Sequence, residues 1–352
     1  MRISKLREAM EKKHVDAALI TTDENILYYS RFTGSSSQLL ITLKDKHLFT
    51  DFRYTEQATA ETDCIVVETK GTDRIKSLAD HMGSHGIKKL GIDLSGILHT
   101  DYKAYTKYID ETRIVDLSDA IADQRAVKDE SELALITKGA QHNDKLFSHL
   151  CTLIRPGITE TDIKAEIVYY MNKYGAETAF APIVASGPNS SLPHATPTNR
   201  KLAPGDFVTL DYGCRFEGYC SDFTRTVAIL DIDKEQQKVY DIVKCAGDLA
   251  LQALSPGTEA RLVDKSARDY ITRHGFGNAF GHGLGHGVGL FIHEAPSLNE
   301  TTEAVLARGM VVTVEPGIYL KGRFGVRIED LCVIKDGGYV NLTTAPRDLI
   351  IL

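Results

Sequence analysis

Four carboxylates stand at matching places in two stretches of the chain. Asp211 ends the apolar run Phe-Val-Thr-Leu-Asp, and Glu315 ends the similar run Val-Val-Thr-Val-Glu 104 positions later. Asp222 and Glu329 follow these two acids by similar intervals. Carboxylates gathered without a counter-charge repel one another and bind protons, so two divalent cations would balance the four charges. The alternative is four surface acids that never meet, but acids at the ends of apolar strands favour an interior metal site.

A glycine-rich stretch supplies three histidines, His282, His286 and His293. Its glycines fit no Gly-x-Gly-x-x-Gly dinucleotide motif, and they disfavour the helix of a zinc-protease motif. Glycines beside histidines allow close backbone approach and leave the imidazoles accessible. A fourth histidine, His194, lies in a loop rich in turn-forming residues, where a surface residue and a functional loop are equal interpretations.

The elements that must position these residues are themselves repeated. A long helix with one apolar stripe ends before Gly157, and a second helix with a capping box at Thr159 ends at Gly175. The same pattern recurs around Gly257 and Gly275, 100 positions later. The repeat predicts a duplication into two helix–helix–sheet halves. Duplicated halves usually face each other across a pseudo-two-fold axis, and ligand sites favour such interfaces.

The first part of the chain, residues 1–125, alternates helical and strand patterns and is predicted to form an α/β domain. It shows no dense cluster of His, Asp or Glu near apolar turns, so we interpret it as a structural or oligomer-forming unit. The predicted elements are helices over Ile3–Lys13, Tyr54–Glu61 and Asp73–Gly86, strands at 17–20, 64–67 and 90–93, and a hairpin turning at Lys44-Asp45.

At this point the residues carry a family resemblance. The chain resembles the pita-bread metallopeptidases, which include methionine aminopeptidase, aminopeptidase P, prolidase and the non-metal relative creatinase. The matching motifs include Asp-Tyr-Gly, Ser-Asp-Phe-Thr-Arg-Thr, Gly-His-Gly-x-Gly-His-Gly, Val-Glu-Pro-Gly-Ile-Tyr and Gly-Val-Arg-Ile-Glu-Asp. The resemblance implies a creatinase-like α/β N-terminal domain over residues 1–125. It also implies an α+β pita-bread catalytic domain of two duplicated halves over residues 126–352.

The resemblance further implies two divalent metal ions and assigns roles around them. Asp211 is then a ligand of one metal, Asp222 and Glu329 bridge both, and His286 with Glu315 binds the other. The residues matching the family's substrate-binding, proton-handling and site-lining positions are His194, His282, His293 and Arg327.

The mechanism expected from this set is attack on the scissile carbonyl by a metal-bridged hydroxide, with Glu315 as general base or proton shuttle. His282 or His293 would hydrogen-bond the developing oxyanion. One imidazole with four carboxylates favours a hard ion, so we expect Mn²⁺, with Co²⁺ and Zn²⁺ as alternatives. Cys214 and Cys220 lie close to the ligands in sequence but receive no role.

Cleavage of an Xaa-Pro bond matches best, with a peptide carrying proline at its second position as substrate. The N-terminal domain argues against methionine aminopeptidase, and creatinase lacks the five ligands. The loop 295–307 contains Glu300 and Glu303 but no Lys or Arg to hold a substrate carboxylate. A strict dipeptidase is therefore in doubt, although Arg327 or a partner subunit could supply the cation. Dipeptidase and aminopeptidase P activity both stay open.

Other classes of protein are disfavoured by composition. A net charge of −7 argues against nucleic-acid binding. We find no apolar run of about 18 residues for a membrane span and no leader pattern, and the six cysteines form no Cys-x-x-Cys pair. We therefore expect a cytoplasmic protein, and the resemblance implies a homodimer formed through the N-terminal domain. The rival function is a non-catalytic peptide-binding protein on the same fold.

Overall fold

The structure, a computed structural model, describes residues 2–69 and 74–352. The chain divides into two compact units, Met1–Arg125 and Ala126–Leu352. None of the helices in the described ranges combines the length and apolar character needed to cross a bilayer.

The first unit is an α/β unit around a six-stranded mixed sheet of order β4-β3-β2-β1-β5-β6. Its strands are β1 (Ala17–Ile20), β2 (Gln38–Thr42), β3 (Lys46–Thr50), β4 (Ile65–Glu68), β5 (Leu90–Ile92) and β6 (Ile114–Asp116). Its helices are α1 (Arg2–Lys12), α2 (Asp23–Ser30), α3 (Thr55–Glu61), α4 (Arg74–Ser84), α5 (His99–Tyr105) and α6 (Ser118–Ala126).

The predicted hairpin in this unit is confirmed, since β2 and β3 pair antiparallel and Thr42 N donates to Asp45 O across the turn (2.9 Å). The strand predicted at 64–67 is observed one residue later. The helix predicted from Asp73 begins outside the described residues, and its described part runs from Arg74. The sheet is mixed because β1 pairs antiparallel with β2 and parallel with β5.

The second unit repeats one plan twice. Its helices are α7 (Glu130–Leu153), α8 (Glu160–Lys173), α9 (Lys234–Ala253) and α10 (Ala260–Arg273). Its first-half strands are β7 (Glu177–Thr178), β8 (Ile183–Ser186), β9 (Phe207–Asp211), β10 (Cys214–Phe216), β11 (Tyr219–Ser221) and β12 (Thr224–Ala228). Its second-half strands are β13 (Gly285–Gly287), β14 (Glu294–Leu298), β15 (Val311–Val314), β16 (Gly317–Leu320), β17 (Phe324–Arg327), β18 (Asp330–Lys335) and β19 (Gly338–Asn341).

The turns between the paired helices are the same in both halves. Gly157 and Gly257 have φ of +90° and +86°, a left-handed conformation that glycine adopts without a steric penalty. The Gly157 N–H donates to Leu202 O (2.9 Å), and the Gly257 N–H donates to Leu306 O (2.8 Å). Leu202 and Leu306 are 104 positions apart, the offset that relates Asp211 to Glu315 in the sequence.

The sheets follow the same repeat. In the first half β9 lies between β8 and β12, and in the second half β15 lies between β13 and β18. A hairpin follows each central strand, β10-β11 in the first half and β16-β17 in the second. Asp211 ends β9 and Glu315 follows β15 directly, while Asp222 and Glu329 precede β12 and β18. The fold therefore places the four acids at equivalent points.

Two features tie the halves together. The buried Arg225 of β12 donates to the backbone carbonyls of Glu329 and Ala345 and pairs with Asp330 (2.9 Å). Residues 344–352 then pack on the first half: Ala228 N donates to Ile350 O (2.9 Å). Because a buried arginine needs every donor satisfied, these contacts fix the two halves in one arrangement.

Candidate active site

Three of the predicted acids converge at the junction of the two halves. Carboxylate oxygens of Asp211, Asp222 and Glu329 all lie within 4.8 Å of one another, and the three side chains are largely buried. The first two come from β9 and the turn before β12, and Glu329 is brought to them by its backbone N–H, which donates to Thr224 O (3.1 Å). The centre thus forms only when the halves meet.

His286 and Glu315 join this cluster through Asp222. The His286 Nε2 atom lies 3.3 Å from Glu315 Oε1 and 3.6 Å from Asp222 Oδ2. His286 Nδ1 donates to Gly287 O (3.0 Å), which leaves Nε2 as the nitrogen that faces the carboxylates. Asp222 therefore belongs to two groups of ligand-type atoms at once.

Close backbone packing aims His286 into this position. A Cβ atom on Gly285 would lie 2.1 Å from the Thr313 carbonyl oxygen, so only glycine lets β13 approach β15 so closely. The Thr313 hydroxyl accepts from His286 N (3.0 Å) and donates to Glu315 Oε1 (3.0 Å). One threonine thus positions two of the predicted ligands.

Burial and mutual repulsion dominate the electrostatics of the cluster. Burial, with repulsion from neighbouring acids, raises the pKa of Asp222 and of Glu329 well above the ordinary carboxyl range. Burial also raises the pKa of Asp211, although the charge of Arg327 opposes it. Glu315 differs: burial alone would raise its pKa, but the hydrogen bond and charge of His286 lower that pKa to about 2.

The donor set fits divalent cations. Among the described residues, Glu329 Oε1 is buried and has no hydrogen-bond partner, while its other oxygen accepts from Thr224 Oγ1 (2.8 Å). A buried, unsatisfied carboxylate oxygen is costly. Cations between Asp222, His286 and Glu329 would bind this oxygen and replace the proton that His286 Nε2 shares with Glu315.

Arg327 begins a chain of hydrogen bonds beside the cluster. Its guanidinium pairs with Asp211 and donates to the Tyr319 hydroxyl (2.7 Å). That hydroxyl lies 2.9 Å from His282 Nε2, and His282 Nδ1 donates to Gly283 O (2.8 Å). The arrangement makes Tyr319 a donor to Nε2, so His282 is held neutral and in one orientation; burial also lowers its pKa.

A cavity of about 630 Å³ opens over these residues. Its lining includes the predicted His194 and His293 together with the five predicted ligands and Arg327. The His293 ring packs edge-on to that of His286, with centroids 4.3 Å apart. Every site residue predicted from the sequence is therefore at one cavity. Phe180, Ile183 and Ile292 supply apolar lining, which suits a small apolar side chain or ring.

Sequence reasoning missed several residues of the site. Tyr319 was part of a quoted motif, but nothing in its spacing showed that it would link Arg327 to His282. Thr224 and Thr313 touch the acids through hydroxyl groups, a role that residue type alone does not reveal. By contrast, Cys214 and Cys220 are buried, and burial raises their thiol pKa values to about 12 and about 11, so both thiols stay protonated at neutral pH.

Two family models match this chain. Residues 134–336 match metallopeptidase family M24, and residues 2–127 match the creatinase/prolidase N-terminal domain. The chain belongs to metallopeptidase family M24. The predicted family is thereby confirmed.

Several known proteins and solved structures are similar to this chain over nearly its whole length. A Pyrococcus horikoshii Xaa-Pro dipeptidase is 35% identical, over 99% of this chain and 98% of the relative. The structure of a Bacillus anthracis Xaa-Pro dipeptidase is 38% identical with a TM-score of 0.96, covering 100% of this chain and 99% of that one. An X-Pro aminopeptidase from Thermotoga maritima is 37% identical with a TM-score of 0.91, covering 98% and 100%. These matches confirm the predicted creatinase-like α/β domain followed by a duplicated pita-bread domain.

Proposed function

We propose that this chain is a metal-dependent Xaa-Pro peptidase that hydrolyses the bond before a proline at the second position of its substrate. The observation that carries the proposal is the convergence of Asp211, Asp222, His286, Glu315 and Glu329 at the base of one cavity. Relatives named Xaa-Pro dipeptidase or X-Pro aminopeptidase, each similar over nearly the whole chain, support the specificity for proline.

The five residues divide into two overlapping sets. Asp211, Asp222 and Glu329 would hold one divalent ion, and Asp222 and Glu329 with His286 and Glu315 would hold the other. Bound there, such ions supply Lewis-acid polarisation of the scissile carbonyl and a lowered pKa for the attacking water. Two divalent charges would also offset the four carboxylates.

The chain's own side chains would move protons and orient the substrate. Glu315 would take the proton of the attacking water and return it to the departing proline nitrogen. His282 lines the cavity, but Gly283 O and the Tyr319 hydroxyl engage both of its ring nitrogens, so it would pack against the substrate and not donate to its carbonyl. Of the two histidines expected to bind the oxyanion, His293 is then the one that would do so. His194 and His293 line the same cavity and would contact the substrate on either side.

A non-catalytic peptide-binding role is the weaker alternative. Four buried acids with raised or strongly perturbed pKa values are costly to keep without metal, and binding peptide alone does not require them. The complete ligand set therefore favours catalysis over binding alone.

The decisive experiment measures proline release from Ala-Pro and cleavage of Ala-Pro-Ala by the purified protein. We expect turnover with Mn²⁺ and its loss after chelation, with recovery when metal is restored. Measured metal content should approach two ions per chain. Metal-independent turnover, or no turnover of either peptide with Mn²⁺, Co²⁺ or Zn²⁺, would contradict the proposal.

Three further features belong to this proposal. The oxygen-rich ligand set supports Mn²⁺ as the preferred ion.

The family resemblance supports a homodimer, and exposed apolar residues on the first unit, such as Phe52 (77% exposed) and Leu98 (69%), support a contact there. Light scattering should then give twice the chain mass, and Phe52→Ser should shift it toward the monomer. A cytoplasmic location remains a prediction.

A further inference from the structure

Loop 295–307 offers the cavity no cation that could bind a substrate carboxylate. Loop 295–307 contributes Ser297 and Asn299 to the lining but no Lys or Arg. Arg268, which approaches this loop, is already engaged: it forms two bonds with Asp264 (2.7 and 2.8 Å) and donates to the backbone carbonyl of His282 (2.8 Å). Its charge is therefore not available to a ligand.

The second cation of the region, Arg327, is also committed. It is buried, pairs with Asp211 and donates to Tyr319. An arginine that turned to a substrate would leave the Asp211 carboxylate without its partner, which is unfavourable in a buried site.

One lysine of the cavity lining has no such commitment. Lys164 of α8 lines the cavity, is only partly exposed, and within the described parts of the chain its ammonium has no hydrogen bond or ion pair. Lys164 lies four residues after Glu160, so the two share one face of the helix. That face is held against the end of β8 and the loop following His194, because Glu160 accepts hydrogen bonds from Ser186 N (2.7 Å) and Thr198 N (2.9 Å).

We propose that Lys164 binds the C-terminal carboxylate of an Xaa-Pro dipeptide and thereby favours dipeptides over longer peptides. A lysine provides a compact positive charge with three donors, which suits a carboxylate whose position varies with the residue before proline. In a longer peptide the same position would hold an amide, which carries no charge for Lys164 to bind. The proposal rests on the proposed Xaa-Pro peptidase function.

The test compares Ala-Pro with Ala-Pro amide, which differ only in the charge at the C-terminus. Wild-type protein should prefer Ala-Pro in kcat/KM. Lys164→Met should lower this preference about tenfold, chiefly through a higher KM for Ala-Pro, because one charge-assisted hydrogen bond is lost. Lys164→Arg should keep most of the preference. Lys173→Met on the same helix is the control, since Lys173 lies beside Tyr169 and Tyr174 and does not line the cavity.

An active Lys164→Met protein with an unchanged preference would overturn the role of Lys164, as would an equal loss in Lys173→Met. Wild-type protein that cleaves neither peptide would instead overturn the Xaa-Pro peptidase function itself. Should Lys164→Met fail to fold, the role of a positive charge at the substrate C-terminus can be tested with the wild-type protein through the salt dependence of kcat/KM. Higher salt should then reduce kcat/KM for Ala-Pro more than for the amide, and an equal salt dependence would contradict the proposal.

Discussion

The two halves of the catalytic unit share a backbone plan and differ in their chemistry. Each provides a central strand that leads to one acid and a hairpin that leads to another, Asp211 and Asp222 in the first half, Glu315 and Glu329 in the second. The second half also carries residues that have no counterpart in the first, namely His282, His286, His293, Tyr319 and Arg327. The acids are thus symmetric, while most groups that would handle substrate and protons lie on one side.

This asymmetry has an electrostatic consequence. Asp211 has a raised pKa, because burial outweighs the opposing charge of Arg327. Its counterpart Glu315 has a pKa lowered to about 2, because His286 more than compensates for burial. Equivalent backbone positions therefore hold a carboxylate that resists ionisation and one that favours it. Divergence of the neighbours, with the strands unchanged, is enough to shift the pKa values of two equivalent acids in opposite directions.

The strongest test of the symmetry is to remove the acid that precedes β12 or β18. We expect Asp222→Asn and Glu329→Gln each to lower kcat at least about 10³-fold and to reduce bound metal, because each would serve both ions. Circular dichroism should show an intact fold. The exposed Asp231→Asn, in the first half, is the matched control. Near wild-type activity and metal content in Asp222→Asn would show that its bridging role is misassigned.

A smaller loss of activity is expected for substitutions at the second-half residues that have no counterpart in the first half. Arg327→Met removes the partner of Asp211 and the donor to Tyr319, so we expect a roughly 10- to 100-fold loss of activity or metal affinity. Tyr319→Phe removes only the hydroxyl that links Arg327 to His282 and should cost less, about tenfold. Steady-state kinetics and metal titration would measure both. A larger loss in Tyr319→Phe than in Arg327→Met would contradict this order.

The smallest effect concerns the shared backbone. A Cβ atom added at Gly157 or at Gly257 would contact no atom within 4 Å. Gly157→Ala and Gly257→Ala should therefore each lower the free energy of unfolding only by the strain of an alanine in left-handed backbone, roughly 1 kcal/mol. Urea unfolding would measure the two values, with the open helical position Gly83→Ala as a control that should not be destabilised. A marked difference between Gly157 and Gly257 would show that the halves are not equivalent in fold.

The repeat made much of the catalytic unit predictable. The strand sequence that ends at Glu315 repeats the one that ends at Asp211, shifted by 104 positions. The structural equivalence of the two acids could therefore be predicted without any knowledge of tertiary contacts. The helices were also predictable: Thr159 and Asp162 form the expected capping box, and α8 begins at Glu160. Periodicity and capping are local properties, so the sequence alone carries them.

Contacts between distant residues were not predictable. Tyr319 meets His282 across 37 residues of the second half, and Arg225 meets Asp330 only after the halves assemble. Lys164 reaches the cavity from a helix with no sequence signal of function. The first unit shows the same limit. No dense histidine cluster is visible there in the sequence. In the structure, however, the ring centroids of His47 and His81 lie 4.6 Å apart, and the His81 ring stacks on that of His85 with centroids 3.9 Å apart.

The segment 344–352 bears on how the enzyme is made. These residues are synthesised after both halves, yet they close the first: Ala228 pairs with Ile350 and Leu352, and Asp144 of α7 accepts from Thr344 N (2.9 Å). Arg225 likewise donates a hydrogen bond to the carbonyl of Ala345, which is synthesised 120 residues later. On a ribosome, the first half would emerge complete in sequence while several of its hydrogen-bond partners were still to be made. A message truncated just before Thr344 should therefore yield a chain that keeps every predicted catalytic residue but loses part of the contact between the halves and, with it, stability.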